Sequence, residues 1–479
     1  MPGPGGGLSD IDRLTNAAIS AAMAADRLYG DSPSSGYRDG NTAIVRSDGV
    51  LRWANGDPYD PPYDYTSDWN SWRSAIQELV TPWESRPAYG PFDSSVSALT
   101  KASNRLQPST KVEGSGTGSS TSVGGSLRDA IGSLTGDLSG MTSDALIAFR
   151  HRYADHLQTI NEGQFALAVV AGECVAAERE IWDRADRVYR ELVEQATQAF
   201  LAARDFQIFG GGGSVGATEL KVAGAVLAGI GLFVSGGTFG AVLKGASFGV
   251  RMLKDFAPGS AQAPTLKIKG GTANAVLASF SHELDRVRDE IEKQERAIHD
   301  CLTANLRTVK HSPHKFDLAS PPLLNEADPN KIGIKVQTNI MKACGNETCP
   351  RVAQGFRDAA HAADAAFGSE AWARPSYFGA STGSYPVFAE LLGELQYAAK
   401  NTAYEITKAG KLLVLAADYL DEADHASHAQ LEKIRAKIHR LEESYDEHYP
   451  QRPDSEGNTP PRAGEAVDGW AMSGVHGPI

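Results

Sequence analysis

The stretch that decides the fold is MTSDALIAFRHRYADHLQTINEGQFALAVVAGECVAAEREIWDRADRVYRELVEQATQAF, residues 141–200. From 142 to 206 it contains no proline, and glycine only at Gly163 and Gly172. Leu146, Tyr153, Ile160, Leu167, Cys174, Ile181 and Val188 recur every seven residues. That spacing lays the side chains along one stripe of a helix and favours lengthwise pairing with other helices. Phe149, Leu157, Val170, Ala171, Ala177, Ala185 and Leu192 widen the stripe. A helix of about 60 residues spans about 90 Å. It is too long to be covered by anything but other long helices.

Working outward, Leu138-Ser139-Gly140 precedes the helix and reads as a tight turn, with an apolar residue before the glycine that pins either the turn or a partner's groove. Residues 276–307 carry a second heptad line, Leu277, Leu284, Ile291 and Ile298, with Phe280, Val287 and Cys301 beside it. Their other face, DRVRDEIEKQER, is a solvated charged surface. A third helix from Pro386 onward has lines through Tyr385, Leu392, Ala399, Ile406, Leu413 and Leu420, and through Phe388, Leu395, Ala409, Ala416 and Ala423. A shorter helix is expected near 348–366. The fold class is therefore all-α, built of long antiparallel hairpins and bundles. Leu146, Tyr153, Ile160, Leu167, Leu392, Ile406, Leu413 and Leu420 are the helix-pairing seam, toward a protein partner or further copies of the chain.

Upstream, helices are expected over 9–29, 68–83 and 93–106, with a small β-hairpin around Asp48-Gly49. Residues 107–126 are a Gly/Ser linker. The expected organisation is a helical region at 1–106 with an aromatic loop, the linker, a long helical hairpin at 127–310, a linker at 311–331, a C-terminal helical hairpin at 332–449 and a disordered polar tail at 450–479. Within 127–310 lies a Gly-rich apolar insert, 222–250. Residues 222–243 carry no charge and six glycines. The length suits a single membrane span, but Ser235-Gly236-Gly237 divides it into halves too short to span. A buried or membrane-touching hairpin is the preferred reading, with Leu227, Ile230, Phe233 and Phe239 as its membrane contacts.

A net charge of −13 without a Lys/Arg-rich run argues against nucleic acid as a partner. The four cysteines are too few for a disulfide framework, and no second pair completes a metal site. Cys174 and Cys301 read as core residues. Cys344 and Cys349 enclose a short Gly-Asn loop, which a disulfide closes if the protein leaves the cytosol and which stays reduced if it does not. Glu422 and His425 form one E-x-x-H pair where a di-metal bundle needs two. The Gly-rich stretch at 211–218 has Ala217 at the lysine position of a phosphate loop and follows a helix. No zinc-protease motif and no G-x-S-x-G elbow is present, so no catalytic, cofactor or metal residue is assigned and a non-enzymatic protein is expected. The N-terminal sequence lacks the basic and apolar regions of a Sec signal.

The helical pair around Leu138-Ser139-Gly140, with the run MTSDALIAFRHRYADHL after it, resembles the Trp-x-Gly superfamily of type VII (ESX) secretion substrates of Gram-positive bacteria. Gly140 matches the turn, and Leu138 stands where the family has Trp. Residues 336–424, with Ala366-Phe367-Gly368 and the ending LAADYLDEAD, resemble the ESX secretion-associated proteins. In those families a tyrosine is followed four residues later by an acid; here Tyr419 is followed by Ala423, with Asp424 one further on. The resemblance implies a substrate or secretion-associated scaffold handled by type VII machinery. It would be secreted or at the cell surface without a Sec signal, and otherwise cytoplasmic. The alternative is a membrane-inserting or pore-forming effector using 222–243.

Overall fold

The structure is a computed structural model. It describes residues 7–25, 66–87, 89–107, 125–141, 143–209, 268–318 and 337–423, with short pieces between 29 and 53 and single residues at 433–437. Eight helical rods make up the described fold, which is all-α. They are α1 (Gly7–Ala25), α2 (Thr66–Glu84), α3 (Tyr89–Leu106), α4 (Gly125–Asp137), α5 (144–209), α6 (Ala273–His311), α7 (338–364) and α8 (Tyr385–Ala423). Two of them contain a wider π-turn: Arg150–Ala154 in α5 and Cys344–Thr348 in α7.

The long rod α5 organises the rest. Beyond its π-turn it runs unbroken for 55 residues, Asp155–Phe209, or about 80 Å. The helices α2 and α3 lie end to end along it in the opposite direction. Trp72 meets Phe200 edge-on and Trp83 stacks on Tyr189 at 5.3 Å. Further down, Arg86 pairs with Asp186, and Asp93 with Arg179 at 2.6 Å. A second antiparallel partner is α6, so that its Glu295 and the α5 residue Glu178 meet on one arginine. Thr402 of α8 accepts a hydrogen bond from Gln164 of α5 at 3.2 Å. The amphipathic α1 covers the far half of α5, where Arg13 reaches Glu194.

Helices α7 and α8 also run antiparallel, tied by Lys342 to Asp418 and Asp421 at 2.7 Å each. They cross at a pair of glycines. A Cβ on Gly345 would sit 2.5 Å from the Gly410 carbonyl oxygen, and one on Gly410 would sit 2.8 Å from the Cys349 Cβ. Only hydrogen fits at that crossing, and the backbones close to a distance that larger residues forbid.

One hydrophobic core joins these rods, from Ile11 in α1 through the α5 stripe to Ala417 in α8. One stretch departs from the sequence reading. The expected linker at 311–331 begins as packed structure: Pro313–Lys315 form a short turn, and Phe316, Asp317 and Leu318 are buried beneath it. The connection between α7 and α8 is also packed inward, with Trp372, Arg374 and Phe378 buried. Near the N-terminus, Ala43–Val45 pair antiparallel with Leu51–Trp53, and Tyr29–Gly30 pair parallel with the first of these. These two- and three-residue pairings add no layer to the fold. The turn of the expected β-hairpin, 46–50, lies outside the described residues, so that hairpin is not supported.

Candidate functional site

The turn between α4 and α5 is built from its sequence in three steps. The Ser139 N–H and hydroxyl both donate to the Gly136 carbonyl, at 3.0 and 2.6 Å, closing the end of α4. Gly140 then takes φ = +76°, which L side chains avoid. Ser143 caps α5, its hydroxyl accepting from the Leu146 N–H at 3.2 Å. Leu138 is fully buried, whereas Ser139 and Gly140 are exposed. The sequence left open whether the apolar residue pins the turn or a partner's groove; it pins the turn. Met141 is also buried and its sulfur accepts from the Gln337 N–H, so the turn is tied to the start of α7.

The seam residues lie inside the bundle. Leu146, Tyr153, Ile160 and Leu167 are each 5% exposed or less, Leu392, Ile406 and Leu413 are 2% or less, and Leu420 is partly buried against the same core. Their neighbours are the chain's own helices. A partner therefore meets other surfaces while this fold is intact.

The expected loop between Cys344 and Cys349 does not form. Both cysteines belong to the π-turn region of a continuous helix, both are buried and both thiols are free. Helix continues through Gly345-Asn346 because Gly345 is held at the crossing with Gly410. Burial, and then the nearby Asp137 carboxylate, push the Cys344 thiol up to about 11. Burial, and then Cys344, push Cys349 up to about 12. Such thiols are poor nucleophiles at neutral pH. Cys174 and Cys301 face each other across α5 and α6. Their hydrogen bond and their burial hold the Cys174 thiol well above its ordinary range.

Sequence reasoning missed a set of polar residues inside the bundle. Asn161, Gln164, Glu173 and Glu178 on α5, Glu295 on α6 and Glu405 on α8 are buried. Gln164 donates to the Phe316 carbonyl at 2.8 Å, and Asn401 to Asp317 at 2.8 Å. These bonds fasten the buried segment after α6 to α5 and α8. Burial raises the Glu173 carboxyl to about 7. Burial also raises Glu405 to about 7, against the lowering effect of Lys408 and Arg152. A heptad count gives no sign of such residues, since each sits within an otherwise apolar face.

Among the described residues no group of three His, Cys, Asp or Glu side chains could hold a metal ion, and no helix is long and apolar enough to cross a membrane. Residues 222–243, with Leu227, Ile230, Phe233 and Phe239, lie outside the described residues. Comparison of the chain with protein-family models, curated proteins and solved structures finds no match in any of the three.

Proposed function

We propose that this chain is a non-enzymatic helical substrate or secretion-associated scaffold of a type VII export system. The observation that carries the reading is the α4–α5 turn. A glycine with positive φ follows a buried apolar residue and opens a capped helix that continues as the longest rod among the described residues. This is the local form that a Trp-x-Gly hairpin requires, with leucine filling the pinning position. The arms are unequal: α4 has 13 residues, and α5 is several times longer. Because the seams are covered from within, contact with machinery or partner falls to exposed surface. The turn itself offers Ser139 and Gly140 there.

The test is detection of the protein in culture supernatant of its native host, with and without the ATPase that drives type VII export. The reading expects the supernatant signal to disappear without the ATPase while the cell-associated protein persists. Equal export in both strains, or none in either, overturns it.

A further inference from the structure

The connection between α7 and α8, residues 365–384, acts as a strap across α5 and α6, and one arginine fastens it. Arg374 lies between two short helical turns, Ser369–Trp372 and Ser376–Phe378. The strap folds around it: the Arg374 N–H donates to the Ser381 carbonyl at 3.1 Å and Nε donates to the Ala380 carbonyl at 2.8 Å. A Cβ on Gly383 would fall 2.3 Å from Nη2, so the strap leaves no spare room there. Nη1 reaches Glu178 Oε1 of α5 at 3.2 Å and also contacts Glu295 Oε1 of α6. The side chains of Glu178, Arg374 and Glu295 are 0%, 2% and 7% exposed. Beneath the strap lies an aromatic cluster, with Phe378 edge-on to Trp83 at 4.9 Å and to Trp182 at 5.0 Å.

The charges of this triad do not balance. Two carboxylates meet one guanidinium in a water-poor site, which leaves one uncompensated negative charge if both are ionised. Glu178 Oε1 accepts from Arg374 and from the Trp182 indole N–H at 3.1 Å, while its Oε2 is buried with no hydrogen-bond partner. An ionised oxygen in that position is costly, and a bound proton removes the cost. Two titratable groups outside the triad act on it or feel it: Glu292 on α6, which faces Arg374, and Cys174 on α5, which feels Glu178 and also the neighbouring Glu173. Tyr377 in the strap lies instead beside Asp285 and Arg288 of α6. From α2 the cluster receives the indole of Trp83.

We propose that the strap is a proton-locked lid, in which Glu178 and Glu295 close on Arg374 together with one shared proton, and loss of that proton to solvent frees 369–384 from the aromatic cluster. Burial outweighs the attraction of Arg374 and holds the Glu178 carboxyl above its ordinary range, which agrees in direction. The open strap, with hydrated carboxylates, does not retain the proton. Opening is therefore favoured as pH rises from the ordinary carboxylate range toward neutrality, and it levels off once the closed form has also lost its proton.

Hydrogen exchange of the full chain between pH 5 and pH 8, corrected for the intrinsic rate at each pH, tests this. Protection of the strap amides of Arg374, Phe378, Gly379 and Gly383 is expected to fall with rising pH. One proton allows at most about tenfold per pH unit. Amides in the middle of α5 should not follow the same slope. Glu178→Gln, which mimics the protonated acid, is expected to flatten the profile with the strap still protected. Glu295→Gln is the second variant, and Glu173→Gln should keep the slope. A flat wild-type profile, an unchanged slope in both triad variants, or loss of the slope in Glu173→Gln alone would each overturn the proposal.

Discussion

The α5 stripe and the 365–384 strap are both buried, yet they are buried by different means. Along α5 the apolar residues repeat every seven positions, and any long helix with a matching ridge can cover them. The strap has no repeat. It is held by one guanidinium, two plug residues, Trp372 and Phe378, and the hydrogen bonds that fold it around Arg374. The stripe spreads its stabilisation over many similar contacts, whereas the strap concentrates it in a few dissimilar ones. Such a strap can open without loss of the rods beneath it, because few contacts need to break.

Substitutions on the two sides separate these modes. The largest effect is expected for Ile406→Asp, which places an unpaired carboxylate at a position with no exposure. Loss of about 4 kcal/mol or more should unfold much of the chain, seen as loss of helical circular dichroism and a lowered melting temperature. If Ile406→Asp left the helix content intact and changed only association, the seam would face a partner and not the core. Next comes Phe378→Ala in the strap, expected to cost about 3–5 kcal/mol by leaving a cavity against Trp83 and Trp182. Tryptophan fluorescence should shift to the red at denaturant concentrations where helix content is unchanged. Simultaneous loss of both signals would show that strap and rods are one cooperative unit.

The smallest effect per residue comes from pH. Glu173 and Glu405, with carboxyls raised to about 7 by burial, hold protons in the folded state that the unfolded chain has released. Their contribution to stability is complete below about pH 4.5 and is lost as pH rises through about 7. At about 1.4 kcal/mol per pKa unit, a rise from 4.5 to about 7 is about 3.5 kcal/mol in full for each group, of which about 2.5 kcal/mol is lost between pH 5 and pH 8. Urea denaturation should therefore give a lower stability at pH 8 than at pH 5, and Glu405→Gln should reduce that difference. A higher stability at pH 8 would show that these carboxylates are ionised and paired in the fold.

The sequence reveals the rods well because periodicity reports which face of a helix is apolar. The stripe through Leu146 and Ile160, the line through Leu392 and Ile406, and the turn at Gly140 all follow from local spacing. Periodicity does not say whose helix covers the face, and here the covering helices belong to the same chain. The strap was invisible for a related reason: Arg374 is buried by Glu178, 196 positions earlier, and nothing near Arg374 marks it as internal. Phe316 to Leu318 were hidden by the prolines around them, which signal a break in helix but not its depth. At Cys344 and Cys349 the Gly-Asn pair suggested a loop, and the close crossing at Gly410 kept the helix continuous instead.

The central claim is that residues 144–209 form one continuous rod whose stripe is covered from within. Paired spin labels at Gln158→Cys and Gln198→Cys measure it directly, since both positions are exposed and the four native cysteines are buried. Forty residues of unbroken helix separate the labelled sites by about 60 Å. A single narrow distance distribution near that value is predicted; a broad distribution, or one centred below about 45 Å, would contradict the rod and the hairpin reading that rests on it.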